Sequence, residues 1–116
     1  PQEFEEVEIY DGVSSAIKGV SQEKISLLLT HAPPYGTKTD TLPSGDHAGS
    51  TSIRKIIEEY QPTVNLCGHI HESRGIDQIG KTITVNPGDL SRGHGCLINI
   101  DDPEDALSIR VEIIEL

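Results

Sequence analysis

Two short, almost uninterrupted apolar runs constrain this chain most. Lys24-Ile25-Ser26-Leu27-Leu28-Leu29-Thr30 and Val64-Asn65-Leu66-Cys67 are too short for stable helices and too apolar for half-exposed strands. Runs of this kind predict strands buried on both faces, as in α/β sheets with layers above and below. Both runs are cut off abruptly. His31-Ala32-Pro33-Pro34-Tyr35-Gly36 follows the first, where two prolines and a glycine forbid further strand or helix. Gly68 stops the second.

The remaining segments fill in around these strands. Val7, Tyr10, Val13 and Ile17 recur near helical spacing, which predicts a helix over Glu5–Val20. Ser50 is placed to cap a second helix, in which Ile53, Ile56, Ile57 and Tyr60 mark one apolar face up to the Gln61-Pro62 stop. Between them, Thr37–Gly49 is a polar loop, and loops of about a dozen residues inside compact domains are often functional. Ile76–Ile79 and Thr82–Asn86 predict a hairpin around Gly80-Lys81, and Asn86-Pro87-Gly88 breaks its second strand. Cys96–Ile100 and Leu107–Ile114 predict a further pair across the acidic turn Asp101–Asp105. The expectation is a mixed α/β architecture with helices covering a sheet.

Length and composition bound the rest. The 116 residues allow a single domain. Lys+Arg 9 against Asp+Glu 19 gives a net charge of −10, which argues against a general nucleic-acid binder or an anionic-membrane binder. A phosphorylated small substrate held by a metal stays open, because the cation inverts the local field. There is no apolar stretch long enough to span a membrane, and the acidic Pro1–Glu6 does not look like a secretory signal. Cys67 and Cys96 form no CxxC pair and read as buried thiols of a cytoplasmic protein. The chain contains no methionine, so Pro1 is expected not to be the start of the gene product.

Three of the five histidines sit at strand-to-loop junctions: His31 after Thr30, and His69 and His71 in Gly68-His69-Ile70-His71. Ligand sites gather at the carboxyl ends of strands in α/β sheets. If the H-x-H segment is extended, both imidazoles share a face and can meet one metal or a metal pair. Alone, His31 reads more readily as an ordinary polar residue than as a ligand, and Gly68-His69-Ile70-His71 reads equally as either; together they favour a metal. His47 and His94 are expected to be solvated loop side chains. No phosphate-cradling glycine loop and no nucleophile elbow is present.

Leu28-Leu29-Thr30-His31-Ala32-Pro33-Pro34, then Cys67-Gly68-His69-Ile70-His71, then Val85-Asn86-Pro87-Gly88 closely resembles the second half of the calcineurin-like metallophosphoesterase superfamily, over about Lys24 to Ile100. The resemblance implies an α/β fold that is the C-terminal half of a layered αββα metallophosphoesterase sandwich, a mixed sheet with flanking helices. Residues 1–116 would then form a single partial domain. It further implies that His31 and His69 ligate one metal of a binuclear site and His71 the other, with Asn86, Pro87 and Gly88 as a structural turn. The cofactors would be two divalent ions (Mn, Fe, Zn or Co), and the reaction hydrolysis of phosphate mono- or diesters.

The family's D-x-H, G-D-x-x-D and G-N-H motifs do not occur here. No residue of this chain can therefore be assigned the bridging Asp or the catalytic histidine. The chain by itself is expected to bind metal weakly and to be inactive. Its expected partners are a phosphorylated substrate and either the missing N-terminal half or a second copy of the chain. Lys38, Asp40, Asp46 and His47 are candidate substrate contacts, and Ser50 with its helix N-terminus a candidate anion contact. Arg74 is a candidate phosphate fork, or else a surface arginine. The rival readings are a non-catalytic metal-binding module and an interaction domain using open sheet edges.

Overall fold

A computed structural model describes residues 5–19 and 25–116. The expectations that fall on Pro1–Phe4, on Val20 and on Lys24 lie outside these residues. Helix α1 (Glu6–Ile17) is followed by strand β1 (Leu27–Leu29), helix α2 (Thr51–Tyr60) and strand β2 (Val64–Leu66). Strands β3 (Gly75–Ile79) and β4 (Thr82–Asn86) form the hairpin, and β5 (His94–Ile100) pairs with β6 (Ile109–Glu115). The main sheet runs β1-β2-β4-β3, parallel except for β3, and β5-β6 makes a separate antiparallel sheet.

Side-chain alternation sorts these elements into three layers. On one face of the main sheet, Leu28 and Ile79 pack with Ile53 and Ile57 of α2 and with Ile9 and Val13 of α1. On the other, Val64, Leu66, Ile76 and Val85 pack against Ile98, Ile109, Val111 and Ile113 of the second sheet. Fully burying an isoleucine contributes about 2 kcal/mol, so α2 with Ile56 and Ile57 completely covered anchors the helical layer. The mixed sheet with flanking helices is the architecture the sequence implied.

Two local expectations are corrected. The run ending at Thr30 does not have both faces covered along its length: β1 is an edge strand, and Leu27 and Leu29 stand 48% and 71% exposed, while the second sheet packs over β2, β4 and β3 and, in this run, meets Ile25 ahead of β1. The last strand begins at Ile109, not Leu107. Asp105 caps a short 3-10 turn by accepting from Leu107 N–H, while the Ser108 hydroxyl spans the Asp102 and Asp105 carbonyls, so the acidic turn extends two residues further.

Buried polar side chains fix how the strands end. Asn65, central in the sheet and fully covered, donates to Leu28 O and Thr30 Oγ1 at 3.0 and 3.1 Å and accepts from Thr84 Oγ1 at 2.9 Å. With its partners in place, the amide ties the carboxyl ends of β1, β2 and β4 into one register.

Candidate metal centre

Because β1 and β2 are parallel neighbours, the residues that follow them emerge side by side. The ladder continues past both strands, with Thr30 N–H donating to Leu66 O at 2.9 Å and Gly68 N–H to His31 O at 3.0 Å. This delivers His31 Nε2 to 2.8 Å from His69 Nδ1, ring centroids 4.6 Å apart and planes inclined by 57°. Buried Pro33 and Pro34 turn the chain away directly afterwards. Two imidazole ligands bound at about 2.1 Å in adjacent corners of an octahedron stand about 3 Å apart, so the pair fits two corners of a metal site. Among the described residues, no group of three His, Cys, Asp or Glu side chains converges to complete one.

His71 does not share a face with His69. The segment is not extended: Ile70 N–H closes back on Gly68 O at 2.7 Å, and His69, at the centre of that tight turn, has φ 64°. A left-handed backbone at a non-glycine residue is strained, and such strain gathers at functional sites. His71 then opens a 3-10 turn, with Nδ1 3.7 Å from Asp89 Oδ2. The Asp89 carboxyl is held below its usual range by the Ser91 hydroxyl and amide, against slight desolvation, with His71 and Arg92 adding attraction. Asp89 is not among the residues the sequence motifs single out; it is found by its place one step beyond the Asn86-Pro87-Gly88 turn.

The loop from Tyr35 to Gly49 packs against these same strand ends, and its key residue is Asp40. That side chain has no exposed surface, so it is not a substrate contact. Its oxygens accept from Gly36, Thr37 and Gly49 N–H at 3.0, 2.9 and 2.9 Å and from His47 Nδ1 at 2.7 Å. Burial pushes its carboxyl up, and the bonds from Gly36, His47, Thr37 and Gly49 more than offset this, leaving it below the usual carboxylate range. His47 is therefore a clamped side chain beside the Tyr35 ring, not a freely solvated one. Lys38 and Asp46 remain exposed. Asn86 latches the arrangement, donating to Thr39 O and Ile70 O at 3.2 and 2.8 Å while accepting from Gly88 N–H.

The expected anion position at the start of α2 is taken from within. Ser50 caps the helix by accepting from Ile53 N–H, and Glu6 of α1 accepts from the Ser50 hydroxyl at 2.8 Å and from Ser52 N–H at 3.0 Å. Burial raises the Glu6 carboxyl, the Ser52 and Ser50 hydroxyls lower it, and the net result lies below its ordinary value. Glu6, Ile9, Leu29, Ser50, His31 and His69 line an open groove of about 600 Å³. Arg74 and His94 pack against the Gly88 turn, each with a buried nitrogen, and His94 opens β5, so it is no solvated loop residue. Both thiols are free, and burial pushes Cys67 up to about 11, so it is a core group and not a nucleophile.

The arrangement has relatives. An uncharacterized protein of Methanocaldococcus jannaschii, MJ1162, is 47% identical over 95 residues, covering 78% of this chain and 42% of that protein. The Caenorhabditis elegans UPF0046 protein K07C11.7 is 31% identical over 70 residues, covering 60% of this chain and 23% of its own length. The chain thus spans well under half of these relatives. A crystal structure that shares 21% identity superposes on 97% of the chain with a TM-score of 0.72, using 40% of its own chain. The protein TT1561 of Thermus thermophilus superposes on 90% with a TM-score of 0.55 at 20% identity, again using 40% of its chain. These two show the fold. The family profile described as "Metallophosphoesterase, calcineurin superfamily" matches residues 13–107, and with that match over most of its length the chain belongs to the calcineurin-like metallophosphoesterase superfamily.

Proposed function

We propose that this chain contributes the histidine half of a binuclear phosphohydrolase site that cleaves phosphate mono- or diesters. The carrying observation is the His31–His69 pair, delivered to 2.8 Å by two adjacent parallel strand ends. His31 and His69 would hold one divalent ion and His71 a second, with Mn, Fe, Zn or Co suited to imidazole. When bound, such ions supply Lewis-acid activation of the phosphoryl group and of water. The chain's own residues do the positioning. The Asn65 amide and the β1–β2 ladder aim His31 and His69, Asp89 stands behind the His71 ring, and Asn86 locks the flanking loop. The further ligands, including a bridging carboxylate, would come from a preceding segment of the polypeptide, since like-charged ions held close together need an intervening anion. The uncovered edge of β1 suits that segment as its docking partner, and two free thiols suit the cytoplasm.

Titration of Mn²⁺ or Zn²⁺ followed by calorimetry tests the reading. The 116-residue chain is expected to bind one ion weakly, to lose it in His31→Ala or His69→Ala, and to leave nitrophenyl phosphate uncleaved. Unchanged affinity in both variants, or turnover by this chain alone, would overturn it.

A further inference from the structure

His31 and His69 stand exposed, and among the described residues each imidazole has only the other as a hydrogen-bond partner. Their orientation therefore comes from the backbone that carries them. At His31 that backbone is pinned twice. Its own carbonyl accepts from Gly68 N–H at 3.0 Å, and the next one, Ala32 O, accepts from the Thr30 hydroxyl at 2.8 Å, so the Thr30 side chain reaches across His31. A carbonyl can only accept, so Thr30 must donate there and has only its lone pairs left for Asn65. The Asn65 amide meets that demand, giving one N–H to Thr30 Oγ1 at 3.1 Å and the other to Leu28 O at 3.0 Å. Its oxygen accepts from Thr84 Oγ1 at 2.9 Å. Chemistry thus forces every donor in the series Thr84, Asn65, Thr30 to point the same way, from β4 through β2 to the carbonyl beside His31.

We propose that Thr30 is a positioning residue for the His31–His69 pair, its hydroxyl closing over His31 as the last link of a one-way chain that begins at Thr84. The inference rests on reading His31 and His69 as a metal pair, and it adds what aims them. Asn65 and Thr84 have no exposed surface, so water cannot replace a lost link there, and aligned hydrogen bonds polarise and strengthen one another. A valine at position 30 keeps the branched shape of threonine. It removes the bond to Ala32 O and leaves one buried Asn65 N–H unpaired. His31 is then held on one side only, whereas a metal ion needs its ligands placed to within about 0.2 Å.

The test compares Thr30→Val with Thr30→Ser, which restores the hydroxyl, and with Thr82→Val, which removes a buried hydroxyl bonded to Pro62 O at the opposite end of β4. Two readouts are taken on the full 116-residue chain: the NOE between the His31 and His69 rings without metal, and Zn²⁺ affinity by calorimetry. Thr30→Val is expected to weaken the ring NOE markedly and Zn²⁺ affinity by about tenfold or more, as the loss of a ligand's supporting partner does. Thr30→Ser should recover most of both, and Thr84→Val should fall between the two. Thr82→Val is expected to lower the urea midpoint as Thr30→Val does while leaving both readouts unchanged. No ring NOE in the parent chain, an unchanged one in Thr30→Val, or an equal loss in Thr82→Val would overturn the proposal. A parent chain whose NOE depends on Thr30 but which takes up no Zn²⁺ would sink the hydrolase reading and support the role of Thr30.

Discussion

A single carboxylate with no exposed surface sets the shape of the loop beside the histidine pair. Asp40 accepts three backbone amides and one imidazole, and an asparagine in its place offers fewer acceptors and no charge. Asp40→Asn is expected to cost about 3 kcal/mol in urea unfolding at pH 7. The pH dependence follows from the direction of its shift. The folded carboxyl titrates below its unfolded value, so its contribution is fully present above the unfolded pKa, near 3.9. It is lost as pH falls through the lower folded value. Asp40→Asn should therefore lose less melting temperature between pH 5 and pH 3 than the parent chain, and an equal loss would show that Asp40 is not the group responsible. The sequence placed Asp40 in a functional-looking loop beside Lys38, Asp46 and His47, but polarity alone does not say which acid turns inward. That is decided by the backbone conformations of Gly36, Thr37 and Gly49, whose amides converge only after folding. His69 escaped for a related reason. A period of two applies to extended chain, and the turn closed by Ile70 N–H breaks it.

Among the elements, α2 was the most legible, because its isoleucines recur at helical spacing and serine is a favoured cap. The hairpin was equally plain from Gly80-Lys81 between two apolar alternations. What local pattern could not contain is the second role of Ser50, whose hydroxyl also donates to Glu6, 44 positions earlier. Contacts between helices leave no trace in the periodicity of either. Ser50→Ala removes both the cap and this link, and is expected to lower unfolding free energy by about 1.5 kcal/mol. Ser50→Thr is expected to recover more than half of that, as read from denaturant midpoints. A loss in Ser50→Ala below about 0.3 kcal/mol would mean that the Glu6 carboxylate caps the helix without it.

For the molecule as a whole, the layers are right and their completeness is not. A continuous apolar run reports that a strand is meant to be covered, but it does not name the element that covers it. Here β1 is parallel, at the edge, and open on the face that carries Leu27 and Leu29. Parallel strands are ordinarily covered on both faces, and open edges recruit other chains. The isolated chain is therefore expected to self-associate. Leu29→Lys should reduce that association in sedimentation velocity while changing the stability of the chain by less than about 0.5 kcal/mol, as exposed substitutions do. Identical sedimentation of the two proteins would remove β1 as the sticky edge.

The way Asp40 gathers its loop also divides that loop into two populations with different histories. Thr37, Thr39 and Asp40 face inward and are buried, whereas Lys38 and the stretch Pro43–Asp46 face solvent. Exchange among the outer residues leaves the clamp, the Asn86 latch and the histidine geometry intact. Drift in descendants of this chain is thus channelled to the solvent face of the loop, where side chains can change without the fold being renegotiated.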